Sequence, residues 1–157
     1  MKQIKIIIAG GRNITDYKLV EQAMFKSNAY KVVTEIVSGG AKGVDSLGVE
    51  WAKRNKVAYT VKKAEWNKLD VPGAVIVIDP YDKSPGPEYR YINKRAGLQR
   101  NEEMGRYADA LVAIWDGVSP GTKHMIDFMK SLGKKVYVHI VKVAKLPKKK
   151  EKESIPI

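Results

Sequence analysis

The chain has 157 residues, with 29 Lys and Arg against 17 Asp and Glu, a formal net charge of +12, and 44% apolar and 29% charged residues. That is the length of one domain with enough apolar content for a core, and no apolar run approaches the roughly 20 residues that a membrane-spanning helix needs. Zero cysteines exclude disulfides, thiolate metal sites and a cysteine nucleophile, and Met1-Lys2-Gln3 leads into a strand without a signal-peptide layout, so a cytoplasmic location is expected.

Residues 4–9 read as a strand and 15–27 as a helix, with Leu19, Val20, Ala23 and Met24 on one 3.6-period stripe and Thr15 or Asn13 as its cap. A second strand at 34–38 feeds a helix over 42–55, where Val44, Leu47, Gly48, Trp51 and Ala52 share a face. Residues 57–62 read as a third strand. A helix at 97–108, the strand 110–115, a helix at 121–132 and the strand 135–141 complete the series. Strands alternating with helices predict an α/β, Rossmann-like three-layer domain over 1–141, with a mostly parallel sheet of about five strands.

Residues 66–95 break the rhythm. They hold Pro72, Pro80, Pro85 and Pro87, and one apolar run, Ala74–Ile78, which is either an added edge strand or a subunit contact. Tyr81, Tyr89, Arg90, Tyr91, Lys94 and Arg95 then form an aromatic and basic loop. Its tyrosines either stack on a base or pack on the domain's own surface. The tail 142–157 carries six lysines and two glutamates by residue 153 and is expected to be disordered.

Three β-branched stretches run into glycine-containing turns that open helices: Ile6 to Arg12, Glu35 to Gly43, and Ala113 to Thr122. Such turns let a ligand approach bare backbone, and the helix behind offers free N–H groups and a positive dipole end. Three of them at the same end of successive strands predict a phosphate or nucleotide cradle at the carboxyl edge of the sheet. The N–H groups of Gly10, Gly11, Arg12, Gly39, Gly40, Gly121 and Thr122 are the expected phosphate donors, helped by the hydroxyls of Ser38, Ser119 and Thr122. Arg12 and Arg100 would supply charge. Asp45, Asn101 and Asp116 would address ribose or base, although Asp45 in the first turn of its helix also suits dipole compensation. Asn101 shares a stripe with Met104 and Ala108, an unusual place for an amide without a partner.

No GxGxxG, GxxxxGK[ST] or HExxH sequence is present. His124 and His139 are the only histidines, so no metal and no cofactor is expected. The net charge suits either nucleic acid or solvated lysine faces.

The ordered motifs Ile8-Ala9-Gly10-Gly11-Arg12, Ser38–Asp45, Arg100-Asn101-x-x-Met104, Ala108–Leu111 and Trp115-Asp116-Gly117-x-Ser119-x-Gly121-Thr122 resemble the SLOG superfamily, and within it the YspA-like branch of small bacterial and phage proteins. The resemblance spans residues 3–140 apart from 66–95. It implies a Rossmann-like domain that binds nucleotides or ADP-ribose-type ligands at the strand carboxyl ends, often as a homodimer, in sensing or sequestration. Two related families point elsewhere. Arg100 and Met104, then Gly121-Thr122, resemble motifs of the lonely-guy phosphoribohydrolases, which implies N-glycosidic hydrolysis of nucleotides. Met125 stands at the position of their catalytic glutamate, leaving Arg100, Asp116, Asp127 and Asp45 as candidate catalytic groups. Ser38–Asp45 also resembles DNA-processing protein A, which implies single-stranded nucleic-acid binding.

Overall fold

The computed structural model describes residues 2–80 and 90–142. Tyr81, Pro85, Pro87, Tyr89 and the tail beyond Lys142 therefore lie outside the described residues, and so does the expectation of disorder there.

The elements follow in the order β1 Lys5–Gly10, α1 Tyr17–Lys26, α2 Ala29–Val32, β2 Glu35–Ser38, α3 Val44–Arg54, β3 Ala58–Val61, β4 Ile76–Ile78, β5 Tyr91–Asn93, α4 Ala96–Tyr107, β6 Ala110–Trp115, α5 Pro120–Ser131 and β7 Lys135–Ile140. Five strands form one sheet in the order β3-β2-β1-β6-β7, every pair parallel. The expected Rossmann-like α/β architecture is the observed one.

After Lys5, strand β1 is apolar because both its faces are covered. Ile6 and Ile8 enter one core with Val20, Ala23 and Met24 of α1 and Val44, Trp51 and Ala52 of α3. Ile7 and Ala9 enter the other with Met104 of α4 and Met125, Ile126 and Met129 of α5. The helix after β1 thus leaves toward one face and the helix after β6 toward the opposite face. Adjacent parallel strands with diverging connections open a crevice at their carboxyl ends.

Local details correct the sequence reading. Asp16 caps α1, not Thr15 or Asn13: its Oδ1 accepts the Lys18 N–H at 3.0 Å. The short helix α2 was not foreseen. Asn28 enters it at φ 60°, a conformation asparagine tolerates, and the Ser27 hydroxyl accepts the Ala29 N–H at 3.2 Å. The run 74–78 is no edge strand of the main sheet. Its core, β4, pairs antiparallel with β5 as a separate ribbon, so Tyr91 belongs to a strand rather than a loop. No described helix is long and apolar enough to cross a membrane.

Two glycines are fixed by close approach. A Cβ on Gly10 would lie 2.1 Å from the Ile114 carbonyl oxygen and 2.7 Å from Val44. At Gly43, φ is +76° and a Cβ would meet the Gly11 oxygen at 2.4 Å. We expect Gly10→Ala to cost about 1–3 kcal/mol or more, since backbone cannot retreat as a side-chain tip can. A lowered denaturant midpoint with an unchanged m-value is the expected readout.

Candidate anion-binding cleft

The crevice between the β1–α1 and β6–α5 loops is a cleft of about 390 Å³. One wall is the backbone of Gly10 to Asn13, another the first turn of α5 from Ser119 to Thr122, and Ala41 and Asp45 close a third side. Arg100 and Asn101 reach in from α4, and Met104 and Met125 form an apolar floor. Of the residues expected from sequence, Gly10, Gly11, Arg12, Asp45, Arg100, Asn101, Ser119, Gly121 and Thr122 meet here, whereas Ser38, Gly39, Gly40 and Asp116 do not line it.

Those four hold the walls in place. Ser38 is fully buried; its hydroxyl donates to the Asp45 carbonyl at 2.9 Å and accepts the Gly40 N–H at 3.2 Å. The Gly39 carbonyl accepts Arg100 Nη1 at 2.6 Å. Asp116 Oδ1 accepts the N–H groups of Val118 and Ser119 at 2.9 and 2.8 Å, and its Oδ2 accepts the Ser119 hydroxyl at 2.7 Å. These bonds, the Val118 N–H first, hold the Asp116 carboxyl below its ordinary pKa. Asp116 and Ser119 thus shape the loop before α5, and the Ser119 hydroxyl is already engaged.

The first loop also differs in detail. Gly10 stays in the ladder opposite Ile114, and the Gly11 N–H donates to the Ile114 oxygen at 3.4 Å. The N–H groups left over in that loop are those of Arg12 and Asn13, which make no hydrogen bond among the described residues. Asn13 was not anticipated as a donor, although it directly follows Arg12. At α5, Lys123 is the first residue whose N–H bonds backward, to Ser119 at 3.1 Å. The N–H groups of Gly121 and Thr122, and the Thr122 hydroxyl, make no hydrogen bond among the described residues. These are the orphan donors that every helix start leaves.

Electrostatics concentrate at Asp45 and Arg100. Asp45 is 7% exposed; burial pushes its pKa up, and the Ala41 N–H at 3.2 Å on Oδ2, then Arg100 and Arg12, pull it back. Burial lowers the Arg100 pKa, against the pull of Asp45, and Arg12 lowers it further. Arg100 Nε donates to Asn101 Oδ1 at 3.1 Å, so Arg100 braces the wall with Nε and Nη1 and does not hold both out for a phosphate. The buried amide of Asn101 finds its partners in α5: Nδ2 donates to the Gly121 carbonyl at 3.2 Å and sits 3.3 Å from His124 Nδ1. Asp127 lies outside the cleft, paired with Lys123 at 2.6 Å. Among the described residues no group of three or more His, Asp or Glu could hold a metal ion.

Comparison with known proteins matches this architecture. Residues 4–69 match the YspA, cpYpsA-related SLOG family. The chain is similar to the "Uncharacterized SPbeta prophage-derived protein YoqJ" of Bacillus subtilis (strain 168), with 24% identity over 140 residues, 71% of this chain and 76% of that protein. DNA processing protein A from Streptococcus pneumoniae has the same fold, with a TM-score of 0.58 at 17% identity over 87% of this chain. DNA processing protein A from Helicobacter pylori, whose structure concerns its single-stranded DNA binding mode, gives a TM-score of 0.55 at 21% identity over 86% of this chain. The chain spans 50% and 64% of the lengths of those two structures. The family match thus covers the leading βαβαβ segment, residues 4–69, and the similarity to the DNA processing protein A structures extends over the fold as a whole.

Proposed function

We propose that the cleft binds the phosphates of a nucleotide or nucleotide-derived ligand of ADP-ribose type, and holds the ligand without turning it over. One observation carries this reading. The N–H groups of Arg12, Asn13, Gly121 and Thr122, without a partner among the described residues, share one cleft with the Arg12 and Arg100 guanidiniums. Donors and charge converging beside a helix start suit an anion better than any neutral guest.

Binding without hydrolysis fits the floor. N-glycoside hydrolysis needs a carboxylate beside the scissile bond. The side chain where the phosphoribohydrolase resemblance puts glutamate is Met125, 1% exposed in the core between α4 and α5. Asp45 is the one carboxylate on the described lining, and the Ala41 N–H already holds it.

Gly121→Asp separates binding from stability. A Cβ at Gly121 meets nothing within 4 Å, so the change introduces no clash. A carboxylate in the first turn favours the helix by about 0.3–1 kcal/mol. The same charge opposes an anion in the cleft. We expect ADP-ribose to raise the Tm of the wild type and not that of Gly121→Asp, while the ligand-free Tm of the variant is equal or higher. Chromatography of the same mixtures should show no released base.

The pH dependence has a definite sign. Asp45 has a raised folded pKa, so as pH falls through it the carboxyl takes up a proton and the cleft loses a negative charge. The neutral carboxyl's contribution to folding is present below the ordinary carboxylate pKa and lost as pH rises through the folded value. A diphosphate bridge keeps its charge over this range. Affinity for ADP-ribose should therefore rise on acidification in the wild type, and be flat in Asp45→Asn, as followed by calorimetry.

A second reading, single-stranded nucleic acid, is favoured by the shared fold with the Helicobacter pylori protein and by the net charge of +12. Each lysine that meets a phosphate steepens the salt dependence by about 0.7 in log–log slope for a single strand. Deleting 143–157 should then flatten the salt slope of oligonucleotide binding, and a slope unchanged by the deletion counts against the tail as part of the interface.

A further inference from the structure

Beside the phosphate cleft lies a second cavity, of about 700 Å³, and Arg12 belongs to the lining of both. Its walls include Trp66, Asn67, Val77, Ile92 and Lys94. Val77 and Ile92 are direct partners across the β4–β5 ribbon, so they present one apolar cross-strand pair. Trp66 is 37% exposed, unlike the core Trp51 at 5%. Its place is nevertheless fixed. The Trp66 carbonyl accepts the Asn93 N–H at 2.8 Å, and a Cβ on Gly97 would lie 3.3 Å from its ring, so the indole rests on the first turn of α4.

This combination is selective. A fixed, half-exposed indole with aliphatic neighbours offers a flat surface for another ring. Asn67 adds amide donors and acceptors, and Lys94 with Arg12 makes the wall cationic. The one carboxylate on the described lining, Asp79, is 5% exposed and accepts Arg90 Nε at 2.9 Å, so it does not oppose an anionic guest as a bare charge. An aliphatic acid would leave the indole and the amide without a use. A heteroaromatic ring carrying a phosphate uses all of them.

We propose that this cavity receives the nucleobase of the ligand whose phosphates occupy the neighbouring cleft, with Arg12 lying between the two ends. The inference rests on the phosphate reading of the cleft and narrows it to two-ended ligands, with a base within one ribose of a phosphate. Free nucleotides and a nucleic-acid strand share that chemistry.

The test is calorimetry on the full chain with inorganic pyrophosphate, the four ribonucleoside diphosphates ADP, GDP, CDP and UDP, and a single strand of roughly twelve nucleotides, a length within known single-strand site sizes. At least one diphosphate should bind about tenfold tighter than pyrophosphate, the scale of one stacked base. Trp66→Ala should remove that advantage and leave pyrophosphate binding unchanged. Trp66→Phe keeps a flat ring and should retain most of the advantage. If Trp66→Ala does not fold, fluorescence decides: the favoured nucleotide should quench the wild type and leave Trp66→Phe unquenched. Pyrophosphate binding as tightly as every nucleotide, or an equal loss of both in Trp66→Ala, overturns the base cavity while the phosphate cleft stands. Absence of binding by pyrophosphate, nucleotides and strand alike overturns both. A strand that binds more tightly than any diphosphate, and weakens in Trp66→Ala, supports the base cavity and identifies the strand as the source. The reverse order identifies free nucleotide.

Discussion

Backbone-to-backbone contact at the carboxyl ends of β1, β2 and β6 is the constraint on which the site depends. The Val44 N–H donates to the Gly11 oxygen at 3.2 Å, so the start of α3 is tied directly to the loop after β1. That approach leaves no room for a Cβ at Gly43, and the contact of β1 with β6 leaves none at Gly10. Packing this close puts two loops from opposite faces within reach of one small ligand. A single methyl group at either position would push the loops apart and widen the cleft before it touched any guest.

Around that contact, charged side chains act chiefly as braces. Arg100 ties the Gly39 carbonyl to Asn101, and Asn101 ties α4 to the first turn of α5. Asp116 fixes the loop that delivers α5, and Asp45 holds the Ala41 N–H. A cleft whose walls are held this way changes little when a ligand arrives, which lowers the ordering cost of binding. What remains available to a guest is mainly main-chain N–H, with Arg12 as the exposed charge.

Much of this was legible in the sequence, and the failures are physical. Helices and parallel strands were readable because Val20, Ala23, Met24 and Met125, Met129 repeat at helical spacing, and because β1 and β6 are apolar on both faces. The glycine turns lie at the carboxyl edge of the sheet, where the cleft opens. Their individual roles were not readable, since a glycine that admits a ligand and a glycine that admits another backbone look alike in one dimension. Gly10 and Gly43 are of the second kind, whereas a Cβ on Gly121 would meet open space. The partners of polar residues were hidden for a related reason. Ser38, Asp116 and Asn101 form hydrogen bonds to partners up to 23 residues away, and sequence shows a side chain's capacity to bond without showing its partner. The β4–β5 ribbon was missed because β5 has only three residues and stands among charged neighbours.

The division of labour between backbone and side chains bears on what kind of ligand the cleft serves. Main-chain donors are fixed in position and release no counterions when an anion docks, so affinity that comes from them is nearly independent of salt and strict about geometry. Lysines act the opposite way, adding affinity that is long in range, tolerant of shape and strongly screened. Here the donors at Arg12, Asn13, Gly121 and Thr122 are concentrated in a cleft of about 390 Å³, while most of the excess charge lies elsewhere along the chain. On the proposed reading, a site built that way would discriminate on the shape of one or two phosphates, and the wider basic surface would govern how readily anions reach it. A small nucleotide satisfies the first requirement by itself; a strand needs both.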